Sequence, residues 1–123
     1  MITGVHHVQL AAPPGSEDRL RAFYGGVLGL EEIPKPPELA KRGGAWFGGP
    51  GVELHLGVEP GFRPARKAHP GLLVDDLDAL DALAARLRAA GHDVTPDELF
   101  PGHHRFYADD PVGNRLEFLR PSG

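Results

Sequence analysis

The sequence contains no cysteine. That excludes disulfides, thiolate nucleophiles and cysteine-based zinc or iron–sulfur sites. It has no apolar run near the ~20 residues that cross a bilayer. The N-terminal stretch MITGVHHVQL also lacks a basic region followed by a long apolar core, so no leader is expected. Neither sign of charge dominates: 13 basic and 17 acidic residues are interspersed, for a net charge of −4. That argues against a general nucleic-acid surface. The expectation is a soluble, cytoplasmic protein with neither nucleic acid nor membrane as partner.

What is there is glycine and proline, 17 and 13 residues in a chain of 123. They follow no collagen period, and apolar periodicity persists throughout, so they predict many short elements joined by turns. The length suits one compact domain or two very small half-units. Seven histidines in so short a chain are the compositional oddity.

The pattern along the chain reads strand, helix, strand, strand, strand, and then repeats. Residues 4–12, GVHHVQLAA, predict a strand with His7 and Gln9 on one face and His6, Val8 and Leu10 on the other. Ser16 is a candidate N-cap for a helix whose stripe is Leu20, Phe23, Tyr24, Val27 and Leu28 and which Gly29 ends. Short strands are expected at 30–33 and around 45–47, and a longer one at 52–58. Residues 59–67, rich in proline and basic residues without a period, read as a linker between a first module, 1–58, and a second, 68–123. The second module predicts a strand at 68–75, a helix capped by Asp75 or Asp76 and ended by Gly91, and a short strand at 92–95. A loop at 96–104, carrying His103 and His104, leads to a closing hairpin of 105–108 and 115–119. In that hairpin DDPVGN forms the turn, and Arg115, Glu117 and Leu119 share one strand face.

A shift of 62 positions superposes the halves without gaps at the anchors: His7 on His69, Gly29 on Gly91, Gly51 on Gly113, Leu54 on Leu116 and His55 on Glu117. Neither half is large enough to bury a full core alone, so the halves are expected to pair. Pairing about a pseudo-two-fold brings equivalent positions together at the axis. The residues there would be His7, His55, His69 and Glu117. All are competent metal ligands, and three imidazoles with a carboxylate suit zinc, iron, manganese, nickel or cobalt as the divalent ion. Arg105 and Tyr107 share strand parity in the last hairpin. Arg105 is a candidate partner for an anionic group, Tyr107 a candidate hydrogen-bond donor, and Glu117 a candidate base.

The βαβββ repeat, the FYGGVLGL ending of the first helix and the DPVGNRLEF hairpin resemble the vicinal oxygen chelate superfamily over essentially the whole chain. That superfamily includes glyoxalases, bleomycin-resistance proteins and dioxygenases. The resemblance implies an α+β fold of two βαβββ modules whose curved mixed sheets surround a metal or ligand cup. It implies ligands from the first and last strand of each module, with His7, His69 and Glu117 the best matched. It also implies a homodimer and a small-molecule substrate or drug as partner. Two functions follow. One is a metal-dependent lyase, isomerase, thiol transferase or dioxygenase acting on an oxygen-chelating substrate. The other is metal-free sequestration of a drug, as in bleomycin resistance.

Overall fold

The computed structural model describes all 123 residues, and the chain divides into two compact units, Met1–Pro64 and Ala65–Gly123. Each unit is a four-stranded mixed sheet with its helical segment packed on one face, the βαβββ arrangement expected from the repeat.

In the first unit the strands are β1 (Val8–Ala12), β2 (Glu31–Ile33), β3 (Ala45–Gly49) and β4 (Val52–Val58), in the order β1-β4-β3-β2. β1 runs parallel to β4, and the other pairs are antiparallel. Helix α1 (Glu17–Leu20) continues into a π-helical stretch, Arg21–Val27. The wider turn shows in the bond from the Leu28 N–H to the Phe23 carbonyl, 2.9 Å. The pair Gly25-Gly26 within it offers little resistance to the departure from α-helical geometry. The stripe buries Leu20, Phe23 and Tyr24 together with Leu10, Ala12, Ala45, Phe47, Leu54 and Leu56. The rings of Tyr24 and Phe47 stack at 5.3 Å.

In the second unit the strands are β5 (Gly71–Leu73), β6 (Thr95–Asp97), β7 (His103–Asp109) and β8 (Arg115–Pro121), in the order β5-β8-β7-β6. Helix α3 (Leu77–Ala89) starts at Asp76, whose Oδ1 accepts from the Ala79 N–H at 2.8 Å. It buries Leu80, Ala84 and Leu87 with Phe106, Ala108, Leu116 and Phe118. A short helix, α2 (Pro37–Ala40), lies between β2 and β3 of the first unit.

The repeat is visible in the backbone. Gly29 and Gly91 end the two helices at φ 77° and 89°, and Gly51 and Gly113 sit in the two hairpins at 74° and 96°, conformations that L side chains resist. Gln9 pairs with His55 as Gly71 pairs with Glu117, a shift of 62. Trp46 pairs with His55 as Tyr107 pairs with Glu117, which is a shift of 61. The β3–β4 hairpin is therefore one residue shorter than its counterpart.

Several local expectations are corrected. The first strand begins at Val8, so the alternation that placed His6 and His7 on opposite faces does not operate there. Ser16 does not cap; its hydroxyl donates to the Pro13 carbonyl at 2.7 Å. β5 is confined to Gly71–Leu73, since Pro70 has no N–H to give to a ladder. β6 lies at Thr95–Asp97 rather than at 92–95, and His103 and His104 open β7 instead of lying in a loop. Proline at position 37 starts α2, at the helix position where its missing N–H matters least.

Candidate metal and substrate site

The DPVGN turn positions the candidate residues of the second unit. Asp110 and Asn114 are both buried. Asp110 Oδ1 accepts from the N–H groups of Val112 and Asn114, and its Oδ2 from the Asn114 side-chain amide at 3.0 Å. Asn114 Oδ1 in turn accepts from the Ala65 N–H, and the Arg115 N–H donates to the Ala65 carbonyl, each at 2.8 Å. Residue 65 is thereby pinned beside the start of β8. Five residues later the Glu117 N–H donates to the Pro70 carbonyl at 3.1 Å. The two anchors hold 65–70 along β8 and deliver His69 to Glu117.

His69 Nε2 lies 2.9 Å from Glu117 Oε1. His69 Nδ1 lies 2.9 Å from the Lys67 carbonyl and 3.1 Å from that of Arg66. Carbonyls only accept, so Nδ1 carries the proton, and a neutral ring presents its Nε2 lone pair to the carboxylate. Two acceptors at that distance repel each other unless a proton or a cation lies between them. A histidine tied through one nitrogen to a backbone carbonyl, with the other nitrogen beside a carboxylate, is the outer and inner environment of a metal-ligating imidazole. These residues fit a divalent ion.

Glu117 is 8 % exposed, and its second oxygen accepts from Arg105 Nη1 at 3.2 Å. Arg105 also holds Asp97 through Nε and Nη2, both at 2.9 Å. Burial, the largest single influence, disfavours the Arg105 cation, but its bonds to Asp97 and Glu117 outweigh that and raise its pKa. The Asp97 carboxyl is held below its ordinary range, first by the Leu99 N–H and then by Arg105. Guanidinium and rings alternate across this sheet face: Arg105 lies 5.2 Å from the Phe100 ring and 5.3 Å from Tyr107, and Arg115 lies 5.4 Å from Tyr107. Tyr107 also meets His69 edge-on at 5.6 Å.

The first unit carries the other candidates. The rings of His7 and His55 stack at 4.0 Å, and His55 stacks on Trp46 at 3.9 Å with an interplanar angle of 7°. His55 is 5 % exposed and its Nε2 lies 2.8 Å from Glu53 Oε2. That bond is the main reason the Glu53 carboxyl is held below its usual range, so Glu53 is the ionised acceptor and His55 Nε2 the donor. His6 and His7 approach Nδ1 to Nδ1 at 2.9 Å, and the ligand atoms of His6, His7 and Glu53 lie within 4.8 Å of one another.

Within the second unit the structure brings together His69, Glu117, Arg105 and Tyr107; within the first it brings His7 against His55. Sequence reasoning did not single out Glu53 or Asp97 as neighbours of these residues, took Trp46 as one of several strand aromatics rather than as the partner of His55, and set His6 apart. Glu53 shares strand parity with His55, and the one-residue-shorter hairpin makes Trp46 the counterpart of Tyr107; both signals were available. Asp97 was hidden by the displaced β6.

Known proteins share this architecture. The chain is similar to a putative glyoxalase family protein from Bacillus anthracis, at 48% identity over 99% of this chain and 98% of that one, with a TM-score of 0.93. A fosfomycin resistance protein from Listeria monocytogenes has the same fold at 17% identity, covering 97% of this chain and 93% of that one with a TM-score of 0.76. An antibiotic binding protein from Streptomyces does so at 23% identity, 99% and 100% coverage and a TM-score of 0.73. No curated protein matches the chain. No helix is long and apolar enough to cross a membrane. The family model described as Glyoxalase/Bleomycin resistance protein/Dioxygenase superfamily matches residues 4–118, and with the two βαβββ units it makes this chain a member of that superfamily.

Proposed function

We propose that the protein is a divalent-metal-dependent enzyme acting on a small substrate that chelates through two adjacent oxygens. The observation that carries this reading is the contact of His69 Nε2 with Glu117 Oε1, made while His69 Nδ1 donates to backbone carbonyls. The proposed ligands are His7, His69 and Glu117, with modules 1–58 and 68–123 paired through the 59–67 linker or across a homodimer. His55, whose Nε2 donates to Glu53, would join them through its Nδ1. Pairing is supported by β1 and β5, each at one end of its own sheet, and by the exposed apolar side chains Ile2, Val5 and Leu73 nearby. The cytoplasm is the proposed compartment.

An ion held by these residues would supply Lewis-acid polarisation of a substrate carbonyl. The chain's own residues do the rest. Arg105 positions Glu117 by holding its second oxygen and keeps negative charge from accumulating at that end of the cup. Tyr107, between His69 and Arg115, offers its hydroxyl as a donor to substrate. Glu117, its second oxygen held by Arg105, would be the acceptor for a substrate proton. The open class of chemistry is lyase, isomerase, thiol transferase or dioxygenase.

The test is metal analysis of untagged protein together with His7→Ala and Glu117→Ala. Wild type is expected to carry about one divalent ion per chain, both variants to lose it, and added zinc, manganese, nickel or iron to raise the melting temperature of wild type alone. No ion and no thermal response would replace the enzyme with a metal-free, drug-sequestering protein.

A further inference from the structure

Resting on that reading, we propose that Arg115 is the anion-recognising residue of the substrate site, and that the substrate carries a carboxylate beyond its chelating oxygens. Arg115 and Glu117 stand two residues apart on β8, hence on the same face and roughly 7 Å apart along the strand. Arg66, Arg105 and Arg115 all border this face, and only Arg115 keeps its charge unpaired. Arg105 is taken by Asp97 and Glu117. Arg66 is taken by Asp109 at 2.7 Å and by the Gly113 carbonyl at 2.9 Å. Asp109 is the residue directly across the ladder from Arg115, so the acid that would otherwise neutralise Arg115 is already engaged. The Arg115 guanidinium rests on the Tyr107 ring instead, half-buried. A contact of that kind fixes its direction without neutralising it.

Arg115 and Tyr107 line a groove of about 670 Å³ that Arg66, Thr95, Asp93, Asp109 and Asp110 also border; His69 and Glu117 do not line it and adjoin it through Tyr107. It is large enough for a small organic acid. A guanidinium held by a ring face recognises a carboxylate through two parallel hydrogen bonds. A 2-oxo diacid presents a chelating pair of oxygens together with a second carboxylate for Arg115, and a 2-oxo monoacid presents only the first.

The test uses the full chain loaded with manganese and calorimetric titration with 2-oxoglutarate and with 2-oxobutyrate. Wild type is expected to bind 2-oxoglutarate about tenfold tighter or more, the worth of a charge-assisted pair. Arg115→Gln is expected to abolish that preference by weakening 2-oxoglutarate alone, at unchanged metal content and melting temperature. Arg115→Lys is expected to restore part of it. Arg88→Gln, the same charge change on exposed α3, is expected to alter neither ligand. Equal effects on both ligands, no effect on either, or no binding by metal-loaded wild type would overturn the proposal. If wild type takes up no metal, it is the enzyme reading that fails. The subsite is then judged on metal-free protein: a saturable shift of the Arg115 Nε–H resonance by glutarate supports it, and an unmoved resonance overturns it.

Discussion

Arg105 and Arg115 show what strand parity tells and what it withholds. Parity put Arg115 on the face of Glu117 and Arg105 on that of Tyr107, and the ladder makes the two faces one. It did not reveal which one faces an acid, because Asp97 belongs to a strand whose position was misjudged and Asp109 is engaged by Arg66, distant in sequence. Charge pairing of this sort depends on which neighbours are left over, and that is a property of the folded surface. Glu17 carries a prediction at the same scale. Its carboxylate accepts from the Gly44 N–H at 2.9 Å, and this bond is the largest cause of its lowered pKa. Gly44 allows the approach: at φ 81° its backbone runs so close to Leu56 that a Cβ would meet the Leu56 carbonyl oxygen. A carboxyl lowered by folding contributes stability above its unfolded pKa of 4.5, and that contribution disappears as the pH falls through the folded value. Glu17→Gln is therefore expected to lower the urea midpoint relative to wild type at pH 6 and to converge with it as the pH falls below 4.5 and through the folded value. A gap that is constant across that range would contradict the assignment.

At the scale of elements, strong apolar periods and glycine stops were legible, and short edge strands were not. The span of β4 was correct to the residue, and β8 began where expected, because alternation over several positions leaves no second register. β5 and β6, three residues each, carry too few positions to show a period. The DPVGN turn was legible as a register-setter for Glu117. Its second task, gripping residue 65, was not, since the partner lies 49 residues away. Asn114→Ala would remove the acceptor of the Ala65 N–H and one donor to the buried Asp110 carboxylate. With about 1–3 kcal/mol lost per buried group left unsatisfied, the urea midpoint is expected to fall clearly. The Ala65 amide is expected to exchange with deuterium much faster, while the Phe47 amide in the other unit keeps its protection. Equal loss of protection in both would show that the turn does no local work.

For the molecule as a whole, the repeat was the legible feature. Matching glycines at a fixed interval disclosed two modules before any single strand was secure, and each of the two sheets has that organisation. The reaction was not legible, because repeat symmetry identifies equivalent positions and is silent about what occupies the space they enclose. The two modules are also unequal in one respect. The chain has a single tryptophan, and it lies face to face with His55. Its emission is therefore a private optical signal from the first module. An ion held partly by His7 would alter the electronic environment of the His7–His55–Trp46 column and change that glow. Titrating manganese into the protein is expected to change the fluorescence with the same midpoint as metal uptake, and His7→Ala is expected to silence the response. Emission that ignores bound metal would mean that the N-terminal histidines never reach it.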